Sequence, residues 1–231
     1  MLLQNALGAH RHKGEIVYYS TPASPIDTDF DVEYHERIVN GILSQSGYTP
    51  KSINEGLAVI FSELPKNNFT GLAFSFGAGM INVCLSNLSV PIVTFSIARG
   101  GDWIDARVSD VVGDSISKVT VWKEASLDLT KKTHDSRLEQ AASIYYDILV
   151  DYVINHLKAK LEAATVYIEE PVTVIVSGGT ATPSGFLQRF EERLRNVKLP
   201  IELGEMRLAK EPLHTVAKGA LIAAIADEHH A

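Results

Sequence analysis

Chemistry in this sequence centres on glycines placed at the ends of apolar runs. Thr70 to Asp105 reads TGLAFSFGAGMINVCLSNLSVPIVTFSIARGGDWID. An apolar strand stops at Gly77, Ala78 and Gly79, two further strand-like runs follow, and Gly100, Gly101 and Asp102 open a helix. Closely spaced glycines let backbone N–H groups approach a phosphate without side-chain obstruction, and a glycine-led helix start adds a positive dipole end. A Gly-x-Gly between two strands is equally the grammar of a plain hairpin turn, and the spacing alone leaves both readings open. Far along the chain the pattern recurs: the run VTVIV, Val172 to Val176, stops at Ser177, Gly178, Gly179 and Thr180, with a helix beginning near Phe186. Two such turns suggest a cleft assembled from distant segments.

The elements that must carry these turns alternate between strand and helix. Glu15 to Ser20 (EIVYYS) reads as a strand stopped by the prolines Pro22 and Pro25. Asp31 to Gln45 places Val32, Ile38, Val39, Ile42 and Leu43 roughly on one helical face, with Gly47 at the C-cap. Lys51 to Gly56 is a short connecting segment, and a helix runs from Leu57 to Leu64, ended by Pro65. Strands follow at Leu72–Phe76, Ile81–Leu85 and Val90–Ala98, then helices at Trp103–Val112 and Lys118–Leu129. Ser136 to Ala164 is the longest helical pattern, a scaffold helix with Leu138, Ala141, Ala142, Tyr145, Ile148, Leu149, Tyr152, Ile154, Leu157 and Leu161 near 3.6 spacing. Val172–Val176 has the continuous apolar character of a strand buried on both faces. A helix at Phe186–Arg195, a β-type run at Pro200–Leu203 and a final helix at Val216–Ala226 complete the order. Gly219 inside that last helix costs about 1 kcal/mol relative to alanine, so it implies close packing or ligand approach. The class is α/β with a mixed sheet.

Bulk properties narrow the function. The 231 residues carry a formal charge of -7 and no Lys/Arg block, which excludes a general nucleic-acid surface and leaves room for a local anion site. The single cysteine, Cys84, sits inside an apolar strand and reads as a small buried hydrophobe rather than a nucleophile; it excludes an intrachain disulfide. No transmembrane run or export signal is visible, so the expected compartment is the cytoplasm. His10, His12, His229 and His230 read as solvated ends, and no metal site is expected from side chains.

The order SFGAGMINVCL, GGDWID, VIVSGGTATPSGFLQRF and PLHTVAKGALIAA resembles the actin, MreB and Hsp70 superfamily of nucleotide-binding proteins. In that superfamily a second phosphate loop reads Asp-x-Gly-Gly-Gly-Thr, an adenosine loop reads Gly-Gly followed by Pro and a helix, and a C-terminal Ala-x-Gly-Ala helix returns between domains. Ser52-Ile53-Asn54-Glu55-Gly56-Leu57-Ala58 is similar to the Asn-Glu-Pro-x-Ala-Ala segment that precedes the second phosphate loop. The likeness runs from about Glu15 to the end. It implies an actin-like ATPase, ribonuclease H-like α/β fold with mixed sheets flanked by helices and an incomplete first domain. Residues 1–69 would be a remnant of domain I, 70–210 domain II, and 211–231 a helix returning to domain I.

The resemblance also implies roles. Ser75, Gly77, Ala78 and Gly79 fall on the second phosphate loop, Gly100, Gly101 and Asp102 border the same cleft, and Gly178, Gly179 and Thr180 pack on ribose and base. Lys123 and Glu124 reach the nucleoside as a Lys-bearing helix does in similar proteins, or else form a surface pair. Glu55 is the matched catalytic carboxylate, or else a helix N-terminal carboxylate facing solvent. Ser75 stands where the family has its metal-associated aspartate, Ala78 at the middle glycine and Met80 at the threonine. No Asp-x-Gly-Thr first phosphate loop precedes Glu15; a fragment, a miscalled start or strands from another polypeptide would each account for that. The implied function is ATP and Mg²⁺ binding with weak or absent hydrolysis, in a conformational switch or an assembly component such as a homo-oligomer or filament. Alternatives are a non-catalytic scaffold of the same fold and a small-molecule kinase, for which no acidic base stands out.

Overall fold

The computed structural model describes residues 14–29 and 31–228; the two histidine pairs lie outside them. A small parallel sheet comes first. Strand β1 (Ile16–Thr21) pairs with β2 (Thr49–Asn54), and helix α1 (Val32–Gln45) connects them. Asp31 caps α1 by accepting the Tyr34 amide, and Gly47 past its end adopts a left-handed φ of +89. The sequence alone reads Lys51 to Gly56 as a short connecting segment, and the structure makes most of it strand β2. Its letters, TPKSIN, contain a proline and a lysine and alternate poorly, so pairing with β1 makes it a strand where propensity does not.

Helix α2 (Glu55–Glu63) starts directly from β2, with the Asn54 side chain accepting the Gly56 and Leu57 amides. The larger sheet then builds through β3 (Gly71–Phe76), β4 (Ile81–Asn87) and β5 (Val90–Ile97), a meander of antiparallel neighbours. Helices α3 (Gly101–Val112), α4 (Ile116–Ser126) and α5 (Arg137–Ala163) follow. Strand β6 (Val172–Ser177) inserts parallel to β3, α6 (Phe186–Arg195) crosses over, and β7 (Leu203–Leu208) pairs parallel to β6. The order is β5-β4-β3-β6-β7. The last strand lies later than the Pro200–Leu203 run suggested: Ile201 is buried, yet the ladder with β6 opens only at Leu203. Helix α7 (Thr215–Glu228) ends the described chain.

Strand alternation sends the two faces of the sheet to different partners. Phe74 and Phe76 pack edge-on against Phe186 and Phe190 of α6, with Tyr146 of α5 beside Phe186. Ala73, Cys84 and Ile175 face the other way, onto Val59 and Ile60 of α2. Burial pushes the Cys84 thiol up to about 12, as expected for a packing residue. Along α5 the buried stripe is Ala142, Tyr146, Leu149, Val153, Leu157 and Leu161. It is rotated from the sequence reading, since Ile148 is 43% exposed while Tyr146 and Val153 are buried.

Gly219 joins α7 to α2 at backbone distance. A Cβ there would lie 1.8 Å from the Ala58 carbonyl oxygen, which cannot swing away as a side chain does. This is the close-packing reason for a glycine inside a helix. An exposed-helix Gly→Ala change normally stabilises; here Gly219→Ala should lower the unfolding free energy by about 2–3 kcal/mol, measured by urea denaturation.

Candidate nucleotide cleft

The turn between β3 and β4 is a tight hairpin in which the Gly77 amide donates to Met80 O at 2.9 Å. Its carbonyls are held by α3: the Gly101 amide donates to Gly77 O at 3.1 Å and the Asp102 amide to Ala78 O at 2.9 Å. The Thr180 hydroxyl donates to Gly77 O as well, at 2.8 Å. Backbone approaches so closely that a Cβ on Gly100 would sit 2.4 Å from both carbonyl oxygens. With its carbonyls turned toward α3, the turn leaves the amides of Ala78 and Gly79 exposed and without hydrogen bonds among the described residues. Those are donors of the kind an anion needs. The first amides of α3, by contrast, are already taken.

Gly178 brings the second turn against the first. Its φ is +97, and a Cβ would come within 2.2 Å of Phe76 O, so glycine is required twice over. The Gly178 amide donates to Pro212 O at 3.2 Å and the Ser177 hydroxyl to the same oxygen at 2.9 Å, fixing the turn to the chain leading into α7.

A polar row crosses the sheet just below the hairpin. Asn82, Ser75 and Ser177 are register partners on β4, β3 and β6 and share one face. Asn82 is 1% exposed; its Nδ2 donates to Glu55 Oε2 at 2.8 Å and its Oδ1 accepts the Ala23 amide at 2.9 Å. It thus ties α2, β4 and the segment after β1 together. Burial raises the Glu55 carboxyl above its ordinary value, partly opposed by the Asn82 hydrogen bond. Glu55 is therefore half-buried and engaged rather than a solvent-facing carboxylate. Ser75 is buried and its hydroxyl makes no hydrogen bond among the described residues.

On the far side, Lys123 of α4 is buried, with Nζ 2.7 Å from Asp105 Oδ1 and donating to Gly101 O at 3.1 Å. Thr120 donates its hydroxyl to the other Asp105 oxygen at 2.7 Å. Lys123 consequently pairs with Asp105 and not with its exposed neighbour Glu124. Beside this pair lies a cavity of about 210 Å³ lined by Lys123, Glu124 and Leu127, by Tyr146, and by Gly179 and Pro183.

The expected residues thus converge: Ala78 and Thr180 both abut Gly101, Lys123 reaches its carbonyl, and Gly179 opens the cavity. Sequence reasoning missed Asn82, Asp105 and Tyr146. Asn82 had one signal, a polar letter inside the apolar run INVCL; the other two had none, because their partners are distant in the chain. Among the described residues no group of three or more His, Cys, Asp or Glu side chains is placed to hold a metal ion.

Two sheets flanked by helices, a glycine hairpin clamped to a helix start and a second glycine turn across it make an actin-like fold, which solved structures share. MreB5 of Spiroplasma citri bound to AMPPNP superposes with a TM-score of 0.73 at 14% identity, covering 99% of this chain and 75% of that one. The MamK double helical filament gives 0.71 at 13% identity over 97% and 72%. The ethanolamine utilization protein EutJ from Carboxydothermus hydrogenoformans gives 0.55 at 16% identity over 79% of this chain, which spans 60% of the EutJ chain. The Volactin family model matches residues 1–224, and the chain belongs to that family. No curated protein matches it in sequence.

The Glu55 environment has a pH consequence. A carboxyl raised in the fold binds its proton more tightly there than in the unfolded chain, so its contribution is fully present below the ordinary glutamate value of 4.5 and is lost as pH rises through the raised value. Glu55→Gln should therefore raise the urea midpoint at pH 8, with the gain disappearing by about pH 4.

Proposed function

We propose that this chain binds ATP in the cleft between the hairpin and the Gly178–Thr180 turn, and that it acts as a conformational switch or assembly component with weak or absent hydrolysis. One observation carries the reading: the Ala78 and Gly79 amides are exposed and unbonded while the turn that presents them is fixed by three hydrogen bonds to its carbonyls. Phosphates lie on those amides, Gly179 and Thr180 border the ribose, and the base enters the cavity beside Lys123 and Glu124. Gly100, Gly101 and Asp102 act by holding the turn. Residues 70–210 form the nucleotide-bearing domain, 1–69 belong to the first domain, and 211–231 return to it. The AMPPNP-bound and ADP-bound MreB5 structures and the MamK filament make nucleotide binding and self-assembly the readings to test first. No described helix is long and apolar enough to cross a membrane, and a cytoplasmic location fits the sequence.

The residues fit ATP better than they fit a directly ligated Mg²⁺. Ser75 supplies no charge, and the carboxylate nearest the polar row is Glu55, already hydrogen-bonded by Asn82. Magnesium would be held through phosphate oxygens and water, where it would neutralise phosphate charge. Glu55, with its raised affinity for a proton, orients an attacking water and accepts its proton. Asn82 holds that carboxylate in place. The Ser75, Ala78 and Met80 replacements favour a second reading, a scaffold that keeps the fold without turnover.

Calorimetry with ATP and AMPPNP, with and without Mg²⁺, tests this directly. Saturable binding is expected, and Glu55→Gln should keep affinity within about threefold while lowering any steady phosphate release by at least about tenfold. Absence of binding under both conditions contradicts the reading.

A further inference from the structure

Strand β1 presents a bare edge. It pairs with β2 on one side, and among the described residues nothing pairs with its other side. The Thr49 amide donates to Glu15 O, so alternate residues turn their backbone groups to β2, and Ile16, Tyr18 and Ser20 turn theirs to the free edge. Folded proteins guard such edges with charge, proline or a bulge. The other edge strands here follow that rule: β2 carries Pro50 and Lys51, β5 carries Pro91, and β7 carries Glu205 and Arg207. β1 reads IVYYST and carries no such guard.

The helices on the two faces of this small sheet are apolar past the same edge. Helix α7 is apolar on every side from Val216 to Ala226 apart from Lys218, the pattern of a helix that a fold buries all round. One side of it packs on α2, yet Leu221 is 60% exposed and Leu213, just before the helix, 73%. These two wall an open groove of about 540 Å³ against Ile16, Tyr18 and Ser20. On the other face, Tyr34, Ile38 and Ile42 form an exposed stripe along α1. Glu36 of α1 accepts the Ser52 hydroxyl of β2, and at 100° per residue the stripe lies on the flank turned away from that contact, toward β1.

We infer that β1 pairs with β1 of a second copy of this chain, making a symmetric dimer with one continuous four-stranded sheet. A two-fold axis normal to the sheet sets the two strands antiparallel and keeps α7 beside α7 and α1 beside α1. Each apolar flank then meets its own twin, and the uncharged edge meets nothing that repels it. Large side chains exposed to this degree have on the order of 100 Å² each left to bury. Three on each helical flank, with the alanines of α7 and the strand edge, reach the roughly 800 Å² per partner of a stable interface. The contact gives the assembly component proposed above a surface, and it does not depend on nucleotide.

Sedimentation of the full chain at micromolar concentration without nucleotide, with amide hydrogen exchange on the same sample, tests this. A concentration-dependent dimer is expected, with the Ile16, Tyr18 and Ser20 amides protected in it. Ser20→Lys and Leu221→Lys each place a charge at an exposed position that the dimer covers, and each should weaken association by at least about tenfold while the circular dichroism spectrum holds. Leu88→Lys, at the exposed far turn between β4 and β5, should leave association unchanged. If one of the first two variants fails to fold, the other and the amide protection decide. A chain that stays monomeric overturns the inference, and one that is monomeric with these amides already protected has its edge covered from within. A dimer that leaves the three amides fast, that tolerates both lysines, or that Leu88→Lys weakens equally also overturns it. None of these results bears on ATP binding, and absence of ATP binding leaves the dimer standing.

Discussion

The carbonyls of Gly77 and Ala78 accept hydrogen bonds from the first amides of α3, and nearly everything at the cleft depends on that contact. A helix start leaves its leading N–H groups without intrahelical partners, and here a hairpin supplies the oxygens. The oxygens carry partial negative charge at the positive end of the helix, so the dipole favours the arrangement too. Because a peptide unit points its carbonyl and amide in opposite directions, fixing the oxygens toward α3 turns the hairpin amides outward. Glycine at positions 100 and 101 is what allows the approach: a Cβ at either would strike the hairpin backbone, the Thr180 hydroxyl or the Lys123 ammonium.

From this contact the structure extends along two polar routes. Thr180 links the second glycine turn to Gly77 O, so the segment that flanks the cavity beside Lys123 and the hairpin share an acceptor. Lys123 grips the Gly101 carbonyl and is itself neutralised by Asp105 within the same helix pair, α3 and α4. The buried charge pair is therefore a brace on the helix that holds the hairpin. On the opposite side, Asn82 joins Glu55 at the head of α2 to the backbone at Ala23. That connection spans the small and large sheets, and movement between them would be felt at the carboxylate.

Much of this was legible in the letters. Glycines ending apolar runs located both turns, the continuous VTVIV run located a strand buried on both faces, and an interior glycine in the last helix announced a close contact that Ala58 supplies. The resemblance in motif order anticipated an actin-like fold from residues whose individual matches are short. What stayed hidden shares a physical cause. Strand β2 exists because β1 needs a neighbour, while β7 begins where β6 can pair with it; neither boundary is encoded locally. The Lys123–Asp105 pair arises from packing α3 against α4, and Tyr146 is buried where α5 meets α6, so no spacing rule along one helix reveals either.

Amide hydrogen exchange, followed with and without ATP, tests the central claim most directly. In the free protein the Gly101 and Asp102 amides should be protected and those of Ala78 and Gly79 should exchange rapidly; adding nucleotide should protect Ala78 and Gly79 together with the 179–184 segment. If Gly101 and Asp102 exchange freely, or if nucleotide leaves the hairpin amides unchanged, the hairpin is not the anion-facing turn described here.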